Sequence, residues 1–181
     1  ARLKEHCLFD GQFIDVVYHA KMNRTISFRK ANENDMNLYF NWTNDDSVRE
    51  NSYQSEPVLL DKHQNWFYHK INDETCFMLV FEDHIGLPIG QVRIQKQDEN
   101  TALIGISNDA NHRGKGYASQ MIQIASDEFL KHNPHFCISA FIKIENIASK
   151  KAFEKAGYEL DVVLEYEGFP SYHYIKKYAN R

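Results

Sequence analysis

The chain has little that would fix its shape covalently. Its cysteines, Cys7, Cys76 and Cys137, are odd in number, far apart and without a C-x-x-C pair, which argues against a disulfide framework and a structural zinc site. A reducing cytoplasm is the compartment this usage implies. No apolar run approaches the roughly 18 residues of a membrane span, and the N-terminus lacks the ordered regions of a signal peptide. An excess of positive charge is also missing: 21 Lys and Arg stand against 25 Asp and Glu, a formal net charge of −4. No overall field therefore draws the chain to nucleic acid or anionic lipid, although a local anion site stays open. What is present, 43% hydrophobic residues in 181, suffices for the core of one domain rather than two.

The periodicity predicts a mixed element list. "TISFRKA" (25–31) alternates as a strand, and "ENDMNLYFNWTND" (33–45) carries Met36, Tyr39 and Phe40 at helical spacing. In "LLDKHQNWFYHKI" (59–71), Asp61 reads as an N-cap, with His63, Trp66, Phe67 and Ile71 along one side of a helix. Segments 75–82, 89–96 and 101–108 read as an antiparallel meander. A main helix follows from Gly116 to about Lys131, then a strand over 136–142 and a helix over 146–157, with Asn146 as cap and Gly157 as stop. Two strands around "EYEGFPSYHY" (165–174) close the chain. Strands in a meander followed by a strand–helix–strand crossover predict an α+β fold with a mixed sheet.

Met22, followed by "NRTISFRKANENDM", has the look of a natural beginning, which leaves residues 1–21 as an N-terminal extension and 22–181 as the domain. "LFDGQFIDVVY" (8–18) echoes "EYEGFPSYHYI" (165–175): Phe9 matches Tyr166, Asp10 matches Glu167 and Gly11 matches Gly168. Two unrelated hairpins account for the echo, and so does a true repeat in which residues 1–21 are the tail of a preceding domain. A hairpin there would extend the sheet or pair with a neighbouring chain, a route to a homodimer.

"NHRGKGYAS" (111–119) sits between the third meander strand and the main helix, where backbone N–H groups and the positive end of a helix converge on an anion. It is not a P-loop, because Tyr117 and Ala118 stand where Lys and Ser or Thr are needed. Nor is it the dinucleotide pattern, because Ser119 occupies the third glycine position. A tight turn with solvated basic residues is the plainer alternative for the glycines alone.

A second segment alters that balance. "ENIASKKAFEKAGYE" (145–159) resembles the N-x-x-S-x-x-x-F-E-K-x-G segment of the GNAT N-acetyltransferases, and "RGKGYAS" resembles their acetyl-CoA pyrophosphate loop. The resemblance runs from Met22 to the C-terminus. It implies a mostly antiparallel sheet whose central strands splay apart, flanked by helices, with acetyl-CoA as cosubstrate and no metal. Carried over by position, Arg113, Gly114, Lys115, Gly116, Tyr117 and Ala118 would hold the pyrophosphate. Ile106 and its strand would receive the pantetheine, and Asn146 and Ser149 would line the cofactor's other side. Asn111 stands where the family has Gln or Arg.

The resemblance further implies direct attack of an amine on the thioester in a ternary complex. An alkylammonium, with a pKa of about 10.4, must first lose a proton, and Glu56 and His63 are the candidate bases because they flank the start of the second helix. A histidine packed under Trp66 is the alternative for His63. Phe153 stands where the family commonly has a proton-donating Tyr, so the thiolate leaves unassisted or is reached by Tyr117 or Tyr158. Segment 41–67 is similar to acetyltransferases of nucleotide-linked amino sugars in surface-glycan pathways, with Trp42, Tyr53 and Trp66 to stack on the acceptor and Arg49 to face a phosphate. Ribosomal-protein or peptide N-termini and polyamines are the alternative acceptors. A non-catalytic CoA-binding domain of a larger fused enzyme is the alternative of another class.

Overall fold

The computed structural model describes residues 2–9, 12–17 and 26–178. Strands β1 (Arg2–Phe9) and β2 (Gln12–Val17) form an antiparallel hairpin of their own. There follow β3 (Ser27–Lys30), α1 (Met36–Thr43), α2 (Asp46–Asn51), α3 (Leu60–Ile71), β4 (Cys76–Glu82), β5 (Pro88–Lys96) and β6 (Thr101–Asn108). The second half comprises α4 (Tyr117–His132), β7 (Cys137–Lys143), α5 (Ile147–Lys155), β8 (Glu159–Tyr166) and β9 (Phe169–Lys177). Strands β3 to β9 make one seven-stranded sheet in the order β3-β4-β5-β6-β7-β9-β8. Every neighbouring pair is antiparallel except β6 and β7, which the α4 crossover makes parallel. This is the α+β architecture expected.

Local chemistry explains most element ends. Asn146 caps α5 by accepting the Ser149 N–H at 3.0 Å, and Gly157 follows that helix at φ +82°, a left-handed conformation in which a side chain would be strained. The acid–glycine turn between β8 and β9 has φ positive at both Glu167 and Gly168, as a two-residue hairpin requires. Its echo has the same closing register, Phe9 opposite Gln12 as Tyr166 is opposite Phe169, while Asp10 and Gly11 lie outside the described residues. One expectation needs correction, and one element was not anticipated. Asp61 lies in the first turn of α3, whose cap position is Leu59. The short helix α2, capped by Asp45 accepting the Val48 N–H, has no apolar periodicity that would announce it.

The sheet is a partition with different chemistry on each side, because strand side chains alternate between faces. On one face Leu79, Phe81, Val92, Ile94, Ala102 and Ile104 meet Met121, Ile122, Ala125 and Phe129 of α4. On the other, Met78 and Val80 meet Tyr39 and Trp42 of α1 and Phe67 of α3. Burying Phe67 completely contributes about 1.5–3 kcal/mol. Arg93, Gly105 and Leu103 point to this second face, and the pairing of Leu103 with Ser139 extends it to Phe141 and Lys143 on β7. Cys76 and Cys137 are half-buried, and burial raises both thiol pKa values, so they stay protonated and inert.

Candidate active site

Strands β6 and β7 pair only over residues 101–103 and 137–139. Beyond that point β6 stays with β5 through Asn108 and β7 stays with β9 through Lys143, so residues 104–108 and 140–143 diverge. Alternate peptide groups along both strands then face a gap instead of a partner. The gap opens into a cleft of about 870 Å³ that passes through the sheet and is lined on the α4 side by Gly114, Gly116, Ala118, Asn146, Ser149 and Phe153.

The start of α4 has the backbone geometry that suits an anion. Gly114 and Gly116 have φ of +72° and +81°, and a Cβ built on either would meet nothing within 4 Å. The glycines thus answer a backbone need, and the space above them is open. Gly116 is the N-cap of the 16-residue α4 and supplies no side-chain cap, so the first N–H groups of the helix and its positive dipole end are available to a phosphate. With the unpaired edges of β6 and β7, this donor set fits the pyrophosphate and the amide-bearing pantetheine arm of CoA.

The predicted cofactor residues divide. Ile106, Gly114, Gly116, Ala118, Asn146 and Ser149 line the cleft. Arg113 also lines it, but its Nη2 donates to Asp45 Oδ1 at 2.6 Å and to the Asn108 carbonyl at 3.2 Å, tying the loop to the α2 cap. Lys115 and Tyr117 are not among the lining residues; the Tyr117 ring packs into the core, 8% exposed.

The predicted catalytic and acceptor residues are mostly elsewhere. His63 is 2% exposed among Phe40, Trp66 and Phe67, outside the cleft, with Nε2 unpartnered. Burial lowers its pKa, with a hydrogen bond to the Met36 backbone acting in the opposite direction. This is a core histidine, on the apolar stripe of α3 that its spacing had already indicated. The Glu56 side chain is exposed and does not line the cleft, and its carbonyl accepts from Arg49. Arg49 faces no phosphate position: it staples the loop after α2 through Gln54 O, Glu56 O and Ser52 Oγ. Trp42 is buried and its Nε1 donates to Asp109 Oδ2, while Trp66 underlies the Arg93 guanidinium at 5.3 Å. Tyr158 cannot reach a leaving thiolate, because its hydroxyl is buried against Ser126 at 2.8 Å.

Other residues form the far wall. Phe141 stacks on Tyr166 at 3.9 Å and 4°, and Tyr53 meets Tyr166 edge-on at 4.9 Å while donating to Ser171 Oγ. Arg93 and Lys143 complete this side with Asn51 and Ser52. Of these, Tyr53 was anticipated; Phe141 and Lys143 were signalled only by alternation along β7. Among the described residues no Asp, Glu or His lines the cleft, and no group of acids, histidines and cysteines is placed to hold a metal. No helix among them is long and apolar enough to cross a membrane.

Residues 25–159, well over half of the chain, match the model of the acetyltransferase (GNAT) domain. The chain belongs to the GNAT acetyltransferase family. The fold agrees with solved GNAT structures. A spermidine N-acetyltransferase from Vibrio cholerae, in complex with CoA and spermine, is similar at a TM-score of 0.75 and 20% identity, covering 83% of this chain and 94% of that one. The aminoglycoside acetyltransferase AAC(6')-Ib, in complex with CoA and kanamycin, is similar at 0.71 and 18%, covering 84% and 95%. A domain from Methanocaldococcus jannaschii is similar at 0.71 and 20%, covering 85% and 99%. No curated protein matches the chain by sequence. As a GNAT enzyme it is an acetyl-CoA-dependent N-acetyltransferase, and the cleft through the sheet is the candidate for its active site.

Proposed function

We propose that the acceptor is a small amine carrying negative charge remote from the reacting nitrogen, with a nucleotide-linked amino sugar as the class that fits best. The observation behind this is the far wall of the cleft, where Tyr53, Phe141 and Tyr166 stand with Arg93 and Lys143, without a carboxylate among the described lining residues. Aromatic faces suit a sugar or base, and cations suit a diphosphate. A polyamine would instead bring several positive charges to a positive wall, and like-charge juxtaposition is unfavourable.

Proton transfer points the same way. Acetyl-CoA supplies the activated thioester; the amine nitrogen bonds to its carbonyl carbon as the carbon–sulfur bond breaks. An alkylammonium of pKa about 10.4 is almost wholly protonated at neutral pH and needs a base, which the cleft lining does not offer. An amine on a sugar ring is less basic, because neighbouring oxygens withdraw electrons, so part of it arrives neutral. The departing thiol, with a pKa of about 8.5 by analogy with cysteine, leaves as an anion without an acid, so Phe153 in place of a hydroxyl donor is tolerated. Main-chain N–H groups of β6 facing the gap are the donors in reach of the thioester oxygen.

Peptide N-termini form the second reading, because an α-amino group of pKa about 7.7–8.0 also meets the proton criterion. The test is thiol release from acetyl-CoA with three acceptors: a nucleotide-linked 4-amino sugar, N-terminal peptides of ribosomal proteins, and spermidine. Turnover confined to the amino sugar is expected. Turnover of spermidine alone overturns the charge argument, and silence with all three despite acetyl-CoA binding overturns the proposal and puts the acceptor outside these classes.

A further inference from the structure

The cations of the cleft are not equivalent. Arg113 is neutralised by Asp45. Lys143 has no such partner: its ammonium donates to the Glu50 carbonyl at 3.1 Å and stands 4.1 Å from the Phe169 ring centre and 5.8 Å from that of Tyr53. No carboxylate among the described residues pairs with it. An ammonium carries three donors, and the protein uses one.

Its position matters as much as its charge. Lys143 ends β7 on the same face as Phe141, with Ser171 opposite it on β9. That face is turned away from α4 and α5, whereas the pyrophosphate loop belongs to the start of α4, so Lys143 is placed for the acceptor and not for CoA phosphate. Lys143 follows Phe141 by two residues, about 7 Å along the strand, and its ammonium lies 5.8 Å from the Tyr53 ring that meets Tyr166 edge-on. Phe141 also stacks on His173 at 4.6 Å, so a flat group on this wall would lie against Tyr166, with the lysine as its neighbouring cation. Arg93, the other cation of this face among the lining residues, is held over Trp66.

We propose that Lys143 is the specificity-determining residue that binds the anionic group of the acceptor, a phosphate of a nucleoside-diphosphate carrier. The proposal rests on the acceptor class given above. The Glu50 carbonyl and the Phe169 and Tyr53 rings hold the ammonium in place, and the residue lines the cleft.

The test is calorimetric titration of UDP into protein saturated with CoA, so that the pyrophosphate loop is filled and only the acceptor side is open. UDP should bind, with affinity falling as salt is raised. Lys143→Met should weaken it about ten- to hundred-fold, the loss of one charge-assisted hydrogen bond, with acetyl-CoA affinity unchanged. Lys143→Arg should stay close to wild type and Lys143→Glu should abolish binding. No binding of UDP by the CoA-saturated wild type overturns the proposal, as does equal binding by Lys143→Met. Should the variants fold poorly by circular dichroism, an affinity of the wild type that is indifferent to salt overturns it as well. The two readings fail separately: Lys143-dependent UDP binding without turnover of a nucleotide-linked amine defeats the amine assignment alone. Turnover of that amine with an unchanged KM in Lys143→Met defeats the lysine alone.

Discussion

Gly116 and Gly157 form a matched pair that separates a backbone requirement from a binding requirement. Both are left-handed, at φ +81° and +82°, and an added Cβ would meet nothing within 4 Å at either. Alanine should therefore cost the same at both positions, about 1–2 kcal/mol for a non-glycine residue in the left-handed region. For a chain of this size each kcal/mol lowers Tm by about 2–4 °C, so both variants should melt about 2–8 °C below wild type. They should differ in binding. Gly116 lines the cleft at the start of α4 and Gly157 does not, so only Gly116→Ala puts a methyl group where the pyrophosphate approaches. Displacing one or two charge-assisted backbone hydrogen bonds, at about 1.5–3 kcal/mol each, weakens acetyl-CoA by at least about ten-fold. Calorimetric titration of acetyl-CoA into each variant, alongside its thermal melt, reads both quantities. Equal affinities in the two variants would refute the placement of the pyrophosphate, whatever the melts show.

Three further predictions follow from the same geometry. Gly90→Ala should lower stability by about 1–3 kcal/mol in a urea melt, as overpacking does, because its Cβ would stand 2.5 Å from the Ser107 carbonyl oxygen and 2.6 Å from Met121 Cε. The pH dependence of kcat/KM should track the acceptor amine, so that two acceptors of different pKa give inflections displaced by that difference; a common inflection for both would reveal an enzyme base. His63 should confer acid sensitivity on stability alone. Burial lowers its folded pKa below 6.5, so in the window between the two values the unfolded chain binds the proton and the folded chain does not, and stability falls as pH falls. His63→Phe should flatten that limb of a denaturation-against-pH series and leave kcat unchanged.

The cleft lining at the starts of α4 and α5 was legible because it is written in local backbone rules. Two glycines at the start of a helix, and an asparagine that caps the next helix while lining the cleft, are signals contained within a few residues. The acceptor half was not. Trp42, Arg49, His63 and Trp66 are residue types that recognise sugars and phosphates, yet the periodicity that put His63 in register with Phe67 already favoured burial, and the residue type outweighed it. Phe141 and Tyr166 stand 25 positions apart, and they meet only because β9 enters the sheet between β7 and β8. No pattern within either segment encodes that insertion. Lys143 is likewise a commonplace lysine in sequence; what sets it apart from Lys151 and Lys155, which also line the cleft, is its place on the strand face turned away from α4 and α5.

The same division bears on Phe153. The cleft exists because β6 and β7 stop pairing after Leu103 and Ser139, and the space behind the divergence is closed by Ile122 of α4 and Phe153 of α5, both buried and both lining the cleft. Phe153 also meets Tyr158 edge-on at 5.0 Å, continuing into the core shared by the two helices. Its apolar ring is thus part of what keeps the strands apart, and a polar atom there would need a partner that this packing does not supply. A hydroxyl donor is dispensable only if the leaving group needs little help, which a thiolate satisfies. On the proposed reading, acyl transfer then relies chiefly on main-chain donors, leaving side-chain variation on the far wall free to select the amine.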